Sequence, residues 1–310
     1  MDLNTITEVA RPRSRADLQA LGAGDAWLAG GTWLFSEPQP KLTRLVDLAG
    51  LNWPPLEFSA NGLRIGATCT LAQLAAAEMP IAWRAAPLFR QCCRALLGSF
   101  KIWNAATVGG NLCMALPAGP MVALATALDG VCTIWTPAGG TPPGPTSTGP
   151  TSTGPTSTGR TLPEWPPLSQ TSAAAERLVP ASDFVQGPQQ NVLRAGELLR
   201  AVSLPMEALQ RRTAFRQISL TPLGRSAALL IGTLSLDEAF ALTVTAATRR
   251  PVLLCFPDLP TAAVLRDALE HAIPAAQYYD DPHGAPEWRR HMTLRFAEQI
   301  RQELSASAPP

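Results

Sequence analysis

This chain of 310 residues lacks an excess of either charge: 25 basic residues face 24 acidic ones, a formal net charge of +1. Such a surface gives no electrostatic reason to bind nucleic acid or an anionic membrane. It also lacks long apolar runs. No stretch approaches the roughly 18 uncharged residues of a membrane-spanning helix, and the N-terminal MDLNTITEVARPRSR has no apolar signal core. The six cysteines (Cys69, Cys92, Cys93, Cys113, Cys132 and Cys255) form no CxxC pair and no ferredoxin-like spacing. No iron–sulfur or zinc site is therefore expected within the chain. Cys92 and Cys93 read as core thiols, and the chain as soluble and cytoplasmic with reduced thiols. The sequence has no HExxH, no Ser/His/Asp arrangement, no phosphate loop ending in GK[ST] and no GxGxxG. Asp280–Asp281–Pro282 before His283 reads as a surface turn rather than a metal cluster.

An apolar fraction of 46% is that of a globular chain, long enough for one large or two ordinary domains. Ser14, with Asp17 three residues on, predicts a helix over SRADLQALG (14–22). AWLAGGTWL (26–34), RLVDLAGL (44–51) and LRIGAT (63–68) read as strands. Thr70 and Gln73 form a second capping box, residues 81–98 have helical periodicity, MVALATALD is a short apolar helix, and VCTIW (131–135) is a strand. From Pro137 to about Thr171 the composition changes to Pro, Gly, Ser and Thr, with TSTG at 146–149, 151–154 and 156–159. This tract has no core-forming content and reads as a flexible loop inserted in a hairpin, with RLVPASDF (177–184) returning. ELLRAVSLP (197–205), RTAFRQISL (212–220), AALLIGTLSL (227–236) and FALTVTAAT (240–248) are four closely spaced strand candidates. Two helices follow, TAAVLRDALEHAI (261–273) and the amphipathic PEWRRHMTLRFAEQIRQEL (286–304), which reads as a solvated helix over a sheet. The whole is an α+β chain of at least two modules.

Two stretches share one form. LAGGTW (28–33) and TVGGNL (107–112) each run from an apolar β segment into a glycine pair and then a small polar residue. Two adjacent glycines let backbone N–H groups converge on an anion, to which Thr32 and Asn111 could add side-chain donors. Two such turns at strand ends could grip a diphosphate without any lysine. Two ligand-free tight turns are the plainer alternative.

AGGTW (29–33) and NAATVGGNLC (104–113) resemble the two FAD-binding segments of the medium, flavin-carrying subunit of molybdenum hydroxylases, the xanthine dehydrogenase and CO dehydrogenase family. DFVQGP (183–188), GELLRAVSLP (196–205), AFRQISL (214–220) and the 286–304 tail fall in the family's order, so the resemblance covers nearly everything but the TSTG insert. It implies a two-part FAD-binding domain of the vanillyl-alcohol-oxidase/PCMH type over 1–186, with subdomains 1–55 and 56–186. A C-terminal domain over 187–310 would then carry a small antiparallel sheet and helices. It implies non-covalent FAD held by Ala29, Gly30, Gly31, Thr32 and Trp33 and by Thr107, Val108, Gly109, Gly110 and Asn111. Leu199 would lie near the flavin ring, Leu97 where some relatives place an aromatic, and Arg216 where a basic residue could tune the flavin. No catalytic side chain and no metal ligand is expected here.

Two departures from the family stand out. Leu116 and Pro120 occupy the places of a Ser and an Asp that many relatives carry near the adenosine end, and Trp103 replaces an Arg. By resemblance, molybdopterin belongs to a large partner subunit and [2Fe–2S] clusters to a small one, in a heterotrimer or a dimer of heterotrimers. FAD here would collect electrons for NAD, oxygen or another acceptor. The competing expectations are a structural subunit with weak or absent FAD, and a free-standing flavoenzyme.

Overall fold

The computed structural model describes residues 3–137 and 176–306. The expected insert at about 137–171 lies outside the described residues except for Pro137.

Strands β1 (Glu8–Ala10), β2 (Asp25–Leu28) and β3 (Arg44–Asp47) form a parallel sheet in the order β1–β3–β2. The helix expected over 14–22 is only one 3₁₀ turn, Arg15–Asp17. The Asp17 carboxylate accepts the Arg13 and Ser14 N–H groups (2.9 Å each), and the chain then extends at Leu18, which is buried. Burying Leu18 outweighs continuing a short polar helix. The 44–51 strand likewise stops at Asp47, whose side chain accepts the Ala49 N–H and caps a 3₁₀ turn over Leu48–Leu51.

A second, antiparallel sheet has the order β4–β5–β10–β6–β7. Its strands are β4 (Leu56–Ser59), β5 (Gly62–Gly66), β6 (Val131–Trp135), β7 (Glu176–Pro180) and β10 (Leu198–Pro205). β7 pairs with β6 in the register Trp135↔Glu176 to Val131↔Pro180, so it is the return strand of the expected hairpin. β8 (Val185–Gly187) and β9 (Gln190–Asn191) form a small hairpin before β10. The sequence groups β10 with the strands of the second module. The structure places it at the centre of this sheet, because all eight of its residues are buried between β5 and β6.

Helices α1 (Leu71–Ala76), α2 (Ala86–Ala95), α3 (Phe100–Ala105), α4 (Val108–Met114) and α5 (Pro120–Ala127) follow β5, with α6 (Ala181–Phe184) and α7 (Met206–Leu209) later. The Thr70/Gln73 capping box starts α1 as expected, with Gln73 N–H donating to Thr70 Oγ1 at 3.2 Å and Thr70 N–H to Gln73 Oε1 at 2.9 Å. α2 is shorter than the 81–98 reading, and α3 was not anticipated. All eight residues of α5 are buried, as befits a helix apolar all round.

Strands β11 (Arg212–Ile218), β12 (Ala228–Leu234), β13 (Phe240–Thr245) and β14 (Val252–Phe256) form an antiparallel meander, with β14 unanticipated. Helices α8 (Ala262–Ala272) and α9 (Pro286–Ala306) complete the chain. Along β12 the side chains alternate between two cores. Leu229 and Ile231 join α5 and the five-stranded sheet, whereas Ala228, Leu230 and Leu234 join α8 and α9.

An arginine–tryptophan stack binds the N-terminal sheet to the five-stranded one. A register shift in β10 between Leu199 and Ala201 bulges Arg200, which is 5% exposed. Its guanidinium lies 4.5 Å from the Trp53 ring centre and 5.5 Å from that of Trp135, and Arg15 lies 4.2 Å from the latter. Trp53 and Trp135 meet edge to face at 5.6 Å, and Trp27 Nε1 donates to Glu197 O at 3.1 Å. Burial lowers the Arg200 pKa to about 10, so it stays a cation at neutral pH.

Candidate cofactor site

β2 delivers the chain into the first glycine pair. Gly31 has φ +67°, a left-handed conformation that suits glycine. Phe35 N–H donates back to Gly31 O at 2.9 Å and closes the turn. Gly30 is there for a different reason: a Cβ on it would collide with the Ala105 carbonyl oxygen at the end of α3. The backbones of the two glycine segments therefore touch, since Ala105 and Ala106 lead directly into Thr107. The backbone N–H groups of Gly30, Gly31, Thr32 and Trp33 have no hydrogen-bond partner among the described residues, nor does the Thr32 hydroxyl. A half-buried loop with four successive uncommitted amides has donors to offer an anion.

The second segment is built otherwise than the sequence reading expects. It is not a strand end but a helix start: Thr107 caps α4, its Oγ1 accepting the Gly110 N–H at 3.0 Å. Val108 N–H donates to Cys69 O and Gly109 N–H to Ala67 O, both at 2.9 Å, and Asn111 N–H to Thr107 O at 3.0 Å. Its amides are thus spent within the protein, and the expected second nest is absent. A Cβ on Gly109 would lie 2.5 Å from Ala67 Cβ and 2.7 Å from its carbonyl oxygen, so close packing of α4 on the 67–69 loop is what demands glycine here. Thr107 and Val108 are buried. Asn111 Oδ1 accepts the Met121 N–H at 3.0 Å, tying α4 to the start of α5, while its Nδ2 has no partner among the described residues.

Other expected site residues fall in varied places. Leu97 is 55% exposed and heads an apolar surface with Phe100 (72%), Ile102 and Phe35 beside the Gly31 turn and α3. Trp103 is half-buried beneath it, its Nε1 without an acceptor. Leu199 is buried in the main core of the first module. Arg216 is not brought to the glycine segments. Strand alternation sends Phe215 toward the first core and Arg216 toward α9, where it pairs with Glu303 at 2.6 Å and donates to Gln299 Oε1 at 3.2 Å. The buried cation nearest Leu199 in sequence is Arg200, which the sequence reading passed over. An Arg next to the GELL run is the signal the sequence offers.

A shallow groove of about 420 Å³ lies elsewhere, on the β1–β3 face, lined by Glu8, Arg11, Arg13, Asp17 and Arg44. It carries both signs of charge and none of the uncommitted amides. Among the described residues no cluster of His, Cys, Asp or Glu could hold a metal ion, and no helix is long and apolar enough to cross a membrane.

Comparison with known proteins settles what the glycine turns belong to. Residues 5–141 match the family model described as the FAD binding domain in molybdopterin dehydrogenase. This segment belongs to that family. Both glycine segments lie inside it. No curated protein matches the sequence. Among solved structures, quinoline 2-oxidoreductase from Pseudomonas putida 86 is 18% identical, with a TM-score of 0.70, 98% of this chain and 98% of that chain being covered. The Cu,Mo-CO dehydrogenase in its cyanide-inactivated form is 21% identical, with a TM-score of 0.72 and coverage of 97% and 98%. Reconstituted CO dehydrogenase from Oligotropha carboxidovorans is 21% identical, with a TM-score of 0.71 and coverage of 99% and 100%. The fold of the whole chain, both modules included, is therefore the fold of these oxidoreductase chains, in keeping with the α+β class and the family read from the sequence.

Proposed function

We propose that this chain is the FAD-carrying electron-transfer subunit of a molybdenum hydroxylase. The observation that carries the reading is the loop Gly30–Trp33. Its four amides lack protein partners, it abuts the segment leading into α4, and it lies inside the stretch that matches an FAD-binding domain. The residues fit the cofactor: amides of Gly30, Gly31, Thr32 and Trp33, the Thr32 hydroxyl and Asn111 Nδ2 are all donors, and a diphosphate offers only acceptors. Ala29 leads the turn, Gly109 allows α4 to close on Ala67, and Gly110 keeps the space beside the Thr107 hydroxyl clear. Leu97, Phe100 and Ile102 offer an apolar rest for a ring system, and we keep Leu199 as a flavin-side residue on the resemblance alone. No histidine lies in 29–33 or 107–111 to form a histidyl–flavin bond, and we take the cofactor to be non-covalent.

When bound, FAD supplies one- and two-electron redox chemistry. The chain's own share is to bind and orient it and to exclude water, which needs no catalytic side chain. Electrons reach it from [2Fe–2S] clusters of a small partner subunit, fed by a molybdopterin-bearing large subunit, and leave to NAD or another acceptor. The assembly is a cytoplasmic heterotrimer or a dimer of heterotrimers. We take the cofactor module to extend through β10, beyond residue 186, with β11 opening the second module.

A scaffold subunit with weak or absent FAD is the second reading. It is favoured by Leu116 and Pro120, which supply no polar side chain at the corner between α4 and α5. Purification followed by an absorption spectrum separates the two: near-equimolar flavin released as FAD by heat supports the first. A folded protein that stays colourless with added FAD supports the second.

A further inference from the structure

The corner after α4 is held from outside its own helix pair. Three residues other than glycine adopt left-handed backbone around it: Ala115 (φ 49°), Gln189 (φ 57°) and Ala246 (φ 63°). A Cβ disfavours this region, and such residues persist only where their surroundings over-determine them. Here the surroundings are specific. Gln189 N–H donates to Ala115 O at 2.9 Å, Ala246 N–H donates to Pro117 O at 2.8 Å, and Asn191 Nδ2 donates to Cys113 O at 2.7 Å. Ala246, at the end of β13, is fixed in turn by Arg289 of α9. That side chain is 1% exposed and donates to the carbonyl oxygens of Ala246, of Ala227 (2.8 Å) and of Gly284 (2.8 Å), and it pairs with Asp281. An unbroken run of contacts thus leads from the C-terminal helix to the corner at residues 113–119.

That corner stands at the C-terminal end of α4, while the glycine turn and the exposed apolar surface stand at its N-terminal end. Seven helical residues separate the two ends by about 10 Å. If a dinucleotide bound with its diphosphate at the turn and its ring on Leu97, Phe100 and Ile102, and its other half ran along α4, that half would reach the corner. Main-chain anchoring takes the place of the polar side chains that Leu116 and Pro120 do not provide.

We propose that Arg289 is a positioning residue for the cofactor cleft, acting through Ala246 and Pro117 on the 113–119 corner and so setting the preference for a dinucleotide over a mononucleotide. This rests on the FAD reading above. The test is the ratio of FAD to FMN affinity, measured by flavin fluorescence on the full-length apo chain for the wild type, Arg289→Met, Arg289→Lys and Asn191→Ala, each checked for folding by circular dichroism. Arg289→Met is expected to weaken FAD about tenfold and FMN less than about twofold, and Asn191→Ala to lower the ratio about threefold, the range for one lost hydrogen bond. A general loosening of the fold weakens both flavins alike and does not move the ratio. If Arg289→Met fails to fold, Arg289→Lys, which keeps a cation but not the fork of donors, decides, whereas Asn191→Ala tests the corner through a bond that Arg289 does not make. An unchanged ratio in a folded Arg289 variant overturns the proposal. Wild-type protein that binds neither flavin defeats the FAD reading itself, a result distinct from the first.

Discussion

Replacing Gly30 by alanine sets a methyl group against the carbonyl oxygen of Ala105. The obstacle is backbone and cannot rotate away, so the turn must lift from α3. The four amides of residues 30–33 are then displaced from their present positions. A hydrogen bond to a charged group contributes roughly 1.5–3 kcal/mol, so losing two of four costs about 3 kcal/mol and weakens FAD about 100-fold. Titration of the apo chain with FAD, followed by quenching of flavin fluorescence, measures this directly, with thermal unfolding run alongside. Gly22→Ala is the control: its Cβ would meet Asp25 Oδ2 at 3.4 Å, an ordinary contact, and FAD affinity should not change. Folded Gly30→Ala protein that binds FAD as the wild type does would refute the assignment of this turn as the diphosphate cradle.

Replacing residues 136–175 by Asn-Gly should leave the fold and FAD affinity intact, because Trp135↔Glu176 already closes the β6–β7 hairpin; the shorter loop should stabilise by about 2–3 kcal/mol, seen as a higher Tm. Burial pushes the thiols of Cys69, Cys93 and Cys113 up to about 12 and raises those of Cys92 and Cys132 well above the ordinary thiol range as well. An aromatic disulfide reagent at mildly alkaline pH should therefore titrate only the exposed Cys255 in native protein, and all six cysteines once the chain is unfolded. Arg200→Ala should cost about 3 kcal/mol in urea unfolding, whereas Arg200→Met, which keeps volume between Trp53 and Trp135, should cost about 1 or less. Burial disfavours the Glu197 carboxylate, yet hydrogen bonds from Arg177 and the Arg194 N–H hold it below the ordinary glutamate range. A lowered folded pKa stabilises above the ordinary value and is lost as pH falls through the folded one. Arg177→Gln should thus lower the urea midpoint near neutral pH and change it little in strong acid.

Signals spanning a few residues were enough for much of this protein. The Thr70/Gln73 capping box, the long C-terminal helix, the strand at β12 and the return of the β6–β7 hairpin all depend on side chains that lie close along the chain or share one period. The glycine pairs could likewise be read as places where backbone must approach something, since no other residue type removes two Cβ atoms in succession. What the sequence could not say is what each pair approaches. Gly30–Gly31 meets the end of α3 and keeps its amides free. Gly109 meets Ala67, and the surrounding amides are satisfied by Cys69, Ala67 and Thr107. The same dipeptide leaves its amides free in one segment and has them spent in the other, and only the partner, some 40 residues away in one case, decides which.

The remaining differences share that cause. Nothing local marks β10 as the centre of the first sheet rather than the edge of the second; its neighbours β5 and β6 are supplied by segments far off in sequence. Arg216 has the look of a strand arginine free to face a cofactor until α9 brings Gln299 and Glu303 against it. Arg289 has the look of one more charge on a solvated helix until it is buried between two strand ends and the loop at Asp281. The sequence by itself determined which residues turn, cap, alternate and match an FAD-binding segment, because those follow from local sterics and period. Tertiary structure alone decided which amides and charges stay uncommitted, because satisfaction of a donor depends on whatever distant carbonyl or carboxylate the fold carries to it.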